Sequence, residues 1–202
     1  MIIQQHIQMG KLPIHATVKD TDGTLLNGSV TLKINGVVQK DASGNVIKFD
    51  VTDGIVDGIY QLPAMSAKNY TLSLMYVNSK YSTQANSTLI LTKTDIEDLD
   101  IKEVVTQKGD DTTIKTQIKD ITEKPLVGTT KVVIKINGKK VNSTTISSGM
   151  VDDKITTIIN NGILDTTIDT HNMKEGNYNM TIILGENSYY NSKTVMIPLI
   201  IK

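Results

Sequence analysis

Residues with chemical potential are few in this chain, and their spacing decides what they can do. His6, His15 and His171 are its three histidines. No two stand at a spacing that would put both imidazoles on one metal, and no neighbouring acid or thiol completes a set. There is no cysteine, which removes thiolate zinc sites, thiol nucleophiles and disulfides. The run Asp20-Thr-Asp-Gly23 gathers hard oxygen ligands of the kind calcium takes. A full calcium loop closes on a bidentate Glu at its twelfth position, which here is Thr31. The counterpart Asp120-Ile-Thr-Glu-Lys-Pro125 lacks the second Asp and the Gly. Both stretches, and Asp110-Asp111 behind Gly109, read as solvated turns. No Gly-x-Ser-x-Gly elbow and no Gly-x-Gly phosphate loop occurs. Paired carboxylates for glycoside hydrolysis would meet only in space, and the aromatic platforms of a sugar cleft are missing. The sequence therefore predicts no catalytic residue, no cofactor and no metal site.

Tyrosine carries most of the remaining interest, with seven copies beside one Phe and no Trp. Tyr70 and Tyr178 each open a strand after an Asn, at equivalent places. Both are expected to form a tyrosine corner, a hydroxyl bonded to nearby backbone at a Greek-key turn. Tyr81, Tyr189 and Tyr190 fall in loops rich in Asn and Ser near one end of each unit. They are the candidates for lining a ligand groove. Lys19 with Asn86, and Lys115 with Asn191, are crude candidates for Lys–Asn amide cross-links, which need a buried amine. Alternation puts both lysines outward or at a strand start, so solvated lysine is the favoured reading. Five Asn-x-Ser/Thr sequons, at Asn27, Asn69, Asn86, Asn142 and Asn179, give weak support for export.

Charge narrows the partners. The chain carries 21 basic and 21 acidic residues, and every basic one is Lys. A neutral chain without Arg is poorly suited to phosphate backbones and guanine edges, so nucleic acid is not expected as a partner. No apolar run reaches the roughly 18 residues that would span a membrane. Residues 1–8 lack the basic start and apolar centre of a signal peptide. If the protein is exported, this chain is expected to be a fragment of a longer one.

The elements that position these residues come twice. Asp20 matches Asp120, Asn35-Gly36 matches Asn137-Gly138, and Asn69-Tyr70 matches Asn177-Tyr178, at offsets of 100, 102 and 108. Asn78-Ser-Lys-Tyr-Ser falls roughly on Glu186-Asn-Ser-Tyr-Tyr. A unit of about 100 residues was duplicated, and the second copy lengthened in its loops. Within each copy apolar residues alternate with polar ones: Ile14, Ala16, Val18; Val30, Leu32, Ile34; Tyr70, Leu72, Leu74, Tyr76. Copy two repeats this at Val132, Ile134, Ile136 and at Tyr178, Met180, Ile182, Leu184. Period two predicts antiparallel strands with one buried face. Asn-Gly and Asp-Gly pairs at matching places predict hairpins. Pro198 predicts that the last strand lies at an edge. No window holds a helical period.

The pattern resembles prokaryotic immunoglobulin-like repeats: Lys-Asp before a polar turn, a Val/Ile strand ending in Asn-Gly, then Asn-Tyr-x-apolar-x-apolar. It is most similar to the repeats of adhesin-like surface proteins of methanogenic archaea. The resemblance implies a stalk or display module and brings no catalytic residues with it.

The expected fold is all-β: two tandem immunoglobulin-like antiparallel sandwiches of Greek-key type without disulfides, at 1–94 and 95–202. The stretch Thr92 to Glu97, polar and without Gly or Pro, is expected to join them as a short semi-rigid linker. The first strands are expected at Ile2–Ile7 and Asp100–Thr106. The expected role is that of non-catalytic stalk repeats in an extracellular or cell-surface adhesin-like protein, alongside further repeats of the same chain. The alternative is a module binding cell-surface glycans, or another cell's surface protein, through Tyr81 and Tyr189-Tyr190. A third is an accessory domain of a wall-modifying enzyme.

Overall fold

The computed structural model describes residues 2–5, 10–141, 157–160 and 162–202. These fall into two compact units, Met1–Thr92 and Lys93–Lys202, each with its own core. Among the described residues there is no helix.

Unit 1 contains β1 (Ile2–Gln5), β2 (Lys11–Thr17), β3 (Gly28–Ile34), β4 (Val37–Val38), β5 (Lys48–Thr52), β6 (Ile55–Gln61), β7 (Asn69–Val77) and β8 (Ser82–Leu91). Pairing runs β1-β8-β7-β3-β5-β6-β2, with β4 on β3. Unit 2 repeats the plan with β9 (Val104–Thr106), β10 (Thr112–Gln117), β11 (Thr129–Ile136), β12 (Lys139–Lys140), β13 (Thr157–Asn160), β14 (Ile163–Ile168), β15 (Gly176–Leu184) and β16 (Lys193–Ile201). Its order is β9-β16-β15-β11-β13-β14-β10, with β12 on β11. In each unit the ladder folds over on itself as an immunoglobulin-like sandwich. The inward faces of β2, β6, β3 and β7, or of β10, β14, β11 and β15, close one core, mostly aliphatic but with Tyr60, Tyr70 and Tyr76 buried in unit 1 and Tyr190 in unit 2.

The alternation predicts these faces well because side chains change sides at every residue. Ile14, Leu32, Leu72, Ile114, Ile134 and Ile182 are all buried. Ala16, Leu74 and Tyr178 are the exceptions and are only half-buried. The hairpin residues Asn35, Asp53 and Asn137 take φ of 49, 50 and 46°, each followed by a Gly at positive φ. Such turns twist with the strands they join. Asn35 also accepts the Thr71 amide at 2.8 Å, and Asn137 the Asn179 amide at 2.9 Å. Each turn is thereby fastened to the opening of the neighbouring strand.

Three expectations change. The pairings are not all antiparallel, since β1 runs parallel to β8 and β9 parallel to β16. A parallel pair needs no hairpin, so no turn signal marks it. Of the expected first strands, β1 is described only as Ile2–Gln5, with Ile7 outside the described residues, and β9 covers only Val104–Thr106. The last strand is flanked on both sides over Leu199–Ile201, where β9 joins it. Pro198 stands one residue before that register begins, so its missing N–H costs the parallel ladder nothing.

Within the stretch Thr92 to Glu97, expected as a semi-rigid linker, Thr94 and Ile96 are already part of unit 2. The Thr94 amide donates to the Tyr189 carbonyl at 3.0 Å, and Ile96 is buried in the unit 2 core.

Candidate functional site

The loops between the last two strands of each unit hold the tyrosines singled out above. Their organiser is an asparagine, Asn78 in unit 1 and Asn187 in unit 2. In unit 1 the Asn78 side-chain oxygen accepts the amides of Lys80 and Tyr81 at 2.8 and 2.7 Å. In unit 2 the Asn187 oxygen accepts those of Tyr189 and Tyr190, both at 2.8 Å. The Asn78 and Asn187 amides donate back to the carbonyls of Tyr81 and Tyr190. The loops therefore match as Asn78-Ser-Lys-Tyr81 on Asn187-Ser-Tyr-Tyr190, an offset of 109. The signal was present as Asn-Ser-x-Tyr in both copies, but one added residue before Asn187 hid it.

This alignment makes Tyr81 and Tyr190 counterparts, and they differ in burial. Tyr190 is 0% exposed. Its hydroxyl accepts the Val127 amide at 3.1 Å, and burial is the main cause holding its phenol above the usual 10.0. A side chain with no exposed surface cannot meet a ligand, so Tyr190 is removed from the proposed groove. Tyr81 is half-buried, with the Lys80 ammonium 5.0 Å from its ring centre and its hydroxyl 3.4 Å from the Asp20 carboxylate. Tyr189 is half-buried at 6.2 Å between ring centres from Tyr190, and its ring edge lies over Gly128.

Tyr70 and Tyr178 turn their hydroxyls back onto the chain. Tyr70 donates to the Ser66 carbonyl at 2.8 Å and Tyr178 to that of Lys174 at 2.7 Å. Each bond spans four residues and pins the turn leading into β7 or β15.

The acidic turns are occupied by backbone. Asp20 accepts the amides of Asp22 and Thr24, both at 3.0 Å. Asp120 is 4% exposed and accepts the Thr122 amide at 2.8 Å, the Thr122 hydroxyl at 2.6 Å and the Lys124 amide at 3.3 Å. Where unit 1 has Gly23, unit 2 has Glu123 at φ 63°, a left-handed conformation that a Cβ disfavours. The Asp110 carbonyl accepts the Thr170 hydroxyl at 2.8 Å, and Asp111 is exposed. Among the described residues no three His, Cys, Asp or Glu gather as a metal set. His6 lies outside the described residues. His15 is exposed 4.0 Å from Asp57, and His171 is exposed at a turn.

The cross-link candidates lack the buried amine the reaction needs. Lys19 is exposed, and Lys115 is exposed and ion-paired with Asp165 at 3.1 Å. Asn86 accepts from Gln84 at 2.8 Å, and Asn191 donates to Asp95 at 2.7 Å. Of the sequons, Asn27, Asn69, Asn86 and Asn179 are exposed, and Asn142 lies outside the described residues.

Unit 1 also holds an apolar cleft of about 240 Å³ between β2 and the β7–β8 pair, lined by Ile14, Ala16, Leu72, Leu74, Ala85 and Ser87. It explains why Leu74 is only half-buried. In register, unit 2 places Thr116, Met180, Ile182, Val195 and Ile197 around the same space. Sequence patterning missed this cleft, since alternation records which face is inward and not how fully it is filled.

No family model matches the chain, and no curated protein matches it. Solved structures do. Domains A168–A170 of titin are 10% identical, with a TM-score of 0.50, over 100% of this chain and 63% of that one. The Yersinia pseudotuberculosis adhesin InvE is 12% identical, with a TM-score of 0.42, over 98% and 56%. Domains 4 and 5 of the S-layer protein SbsC are 18% identical, with a TM-score of 0.38, over 92% and 78%. At such identities the likeness is one of fold: the chain is a tandem of immunoglobulin-like β-sandwich units.

Proposed function

We propose that the chain is a non-catalytic stretch of tandem repeats in an exported, cell-surface protein, spacing or displaying a distal part and supporting adhesion. The observation that carries this is the pairing of early and last strands. β1 runs parallel to β8 over four residue pairs, and β9 parallel to β16 over three. Tension that enters at the N-terminal side of a unit and leaves at its C-terminal end pulls these partners along one another. Their hydrogen bonds then share the load instead of opening one by one. Forced unfolding is governed by the rate of crossing that barrier.

The polar side chains support the same reading. The tyrosine corners we assign to Tyr70 and Tyr178, the Asn78 and Asn187 loops and the Asp20 and Asp120 turns all bond their own backbone. Hydrogen-bonding capacity that a reaction centre would turn toward a substrate here holds loops in place.

Pulling a polyprotein of residues 1–202 tests the proposal. Two discrete unfolding peaks per chain are expected, and Thr106→Pro should lower one of them, since it removes the N–H on the side where the Thr106 carbonyl accepts the Lys202 amide at 3.0 Å. Smooth extension without peaks would end the stalk reading.

A further inference from the structure

Five neighbouring strands of unit 2 carry charge of one sign. Strands β9, β11, β12, β15 and β16 together contain Lys131, Lys135, Lys139, Lys140 and Lys193, and no Asp or Glu. Lys193 is neutralised by Asp98 at 2.6 Å. Among the described residues the other four make no ion pair. Lys135 stands directly opposite Lys140, so both point to one face. Lys131, four residues along β11, shares that face at about 13 Å, from the rise of ~3.3 Å per residue. The row across the sheet continues from Lys135 through Thr181 to Met196, which is 78% exposed.

Two features set this face apart. Like charges directly opposite one another weaken a strand pair, so the Lys135–Lys140 pair works against the fold that holds it. In register, unit 1 has Ser29, Lys33 and Val38 where unit 2 has Lys131, Lys135 and Lys140. One lysine is common to both copies, and two distinguish unit 2.

We propose that this face of unit 2 binds an acidic polysaccharide. The ammonium groups complement its carboxylates or sulfates, and the exposed Met196 offers apolar surface to the C–H faces of the sugar rings. A row of side chains along one sheet face suits a chain-like ligand lying along it. The inference goes beyond the stalk reading and does not depend on it, because pulling and titration fail separately.

The test is calorimetric titration of residues 1–202 with polygalacturonate at ~20 and ~150 mM salt, where screening differs strongly. Saturable binding that weakens with salt is expected. The triple variant Lys131→Gln, Lys135→Gln, Lys140→Gln should bind at least ~10-fold more weakly while melting no earlier than wild type, since repulsion has been removed. Lys140→Gln alone, on the exposed β12, serves if the triple variant fails to fold. Lys33→Gln in unit 1 should leave binding unchanged. The proposal falls if polygalacturonate does not bind, or if Lys33→Gln weakens binding as much as the triple variant. It also falls if neutral dextran, poly-glutamate or duplex DNA binds as tightly as polygalacturonate.

Discussion

Asn78 and Asn187 build the same loop in the two units, yet the rest of each amide reaches a different place. The Asn78 nitrogen donates to the Tyr76 hydroxyl at 2.9 Å, which itself donates to the Asn27 carbonyl at 2.7 Å. In unit 2 the residue in register with Tyr76 is Leu184, which has no hydroxyl. There the Asn187 nitrogen reaches the Thr130 hydroxyl at 2.8 Å and the Thr129 carbonyl at 3.2 Å. The added residue closes the gap, since the Gly185 amide donates to the Lys131 carbonyl at 2.7 Å. The loop geometry thus depends on the asparagine oxygen, and its nitrogen takes whatever acceptor the neighbouring strand offers. Tyr190 then lies under the surface beside the buried Asp120, while Tyr81 stays half out beside the half-buried Asp20. Duplication kept the turn and changed how deeply its tyrosine is set.

The largest effect should come from that tyrosine. Tyr190→Ala is expected to destabilise unit 2 by ~3–5 kcal/mol, the cost of emptying a buried aromatic site. Tyr81→Ala should cost unit 1 only ~1 kcal/mol, in line with its partial burial. Unit-resolved hydrogen exchange measures both, and equal losses would remove the distinction. Filling the cleft comes next. Ala85→Val gives unit 1 the residue that unit 2 has at position 195, and should stabilise it by at most ~1 kcal/mol, since Ala85 is exposed at the rim of the cleft and the added carbons are only partly covered. A loss in urea denaturation would mean that the cleft cannot accept them. Glu123→Gly restores the residue that unit 1 has at its left-handed turn position. It should stabilise unit 2 by ~1 kcal/mol, and no change would show that the position carries no strain. The mildest effect is one of pH. Burial holds the Tyr60 and Tyr190 phenols above their usual 10.0. The unfolded chain therefore releases these protons first. Their contribution is complete below about pH 10 and is lost as pH rises through the folded values. Urea midpoints should fall across that window in both units, and Tyr190→Phe should flatten the fall in unit 2 alone.

Much of the fold was legible in the chain. The alternation at Ile14, Leu32, Leu72 and their counterparts states which face is inward, because a strand has only two sides. Asn35-Gly36 and Asn137-Gly138 announce their turns through the one backbone region that both residues accept. The parallel pairings of β1 with β8 and of β9 with β16 were not legible, because each joins segments far apart in sequence and leaves no local mark. Nor was the lysine face: Lys131, Lys135 and Lys140 look like scattered solvated residues until the β11–β12 register sets two of them opposite each other.

The sequence by itself determined an all-β tandem, since side-chain alternation and turn chemistry are local properties. Tertiary structure alone decided that Tyr190 is sealed while Tyr81 is not, and that Leu74 borders a cleft while Ile182 is covered. Burial depends on how far neighbouring strands close over a residue, and their side chains come from distant parts of the chain.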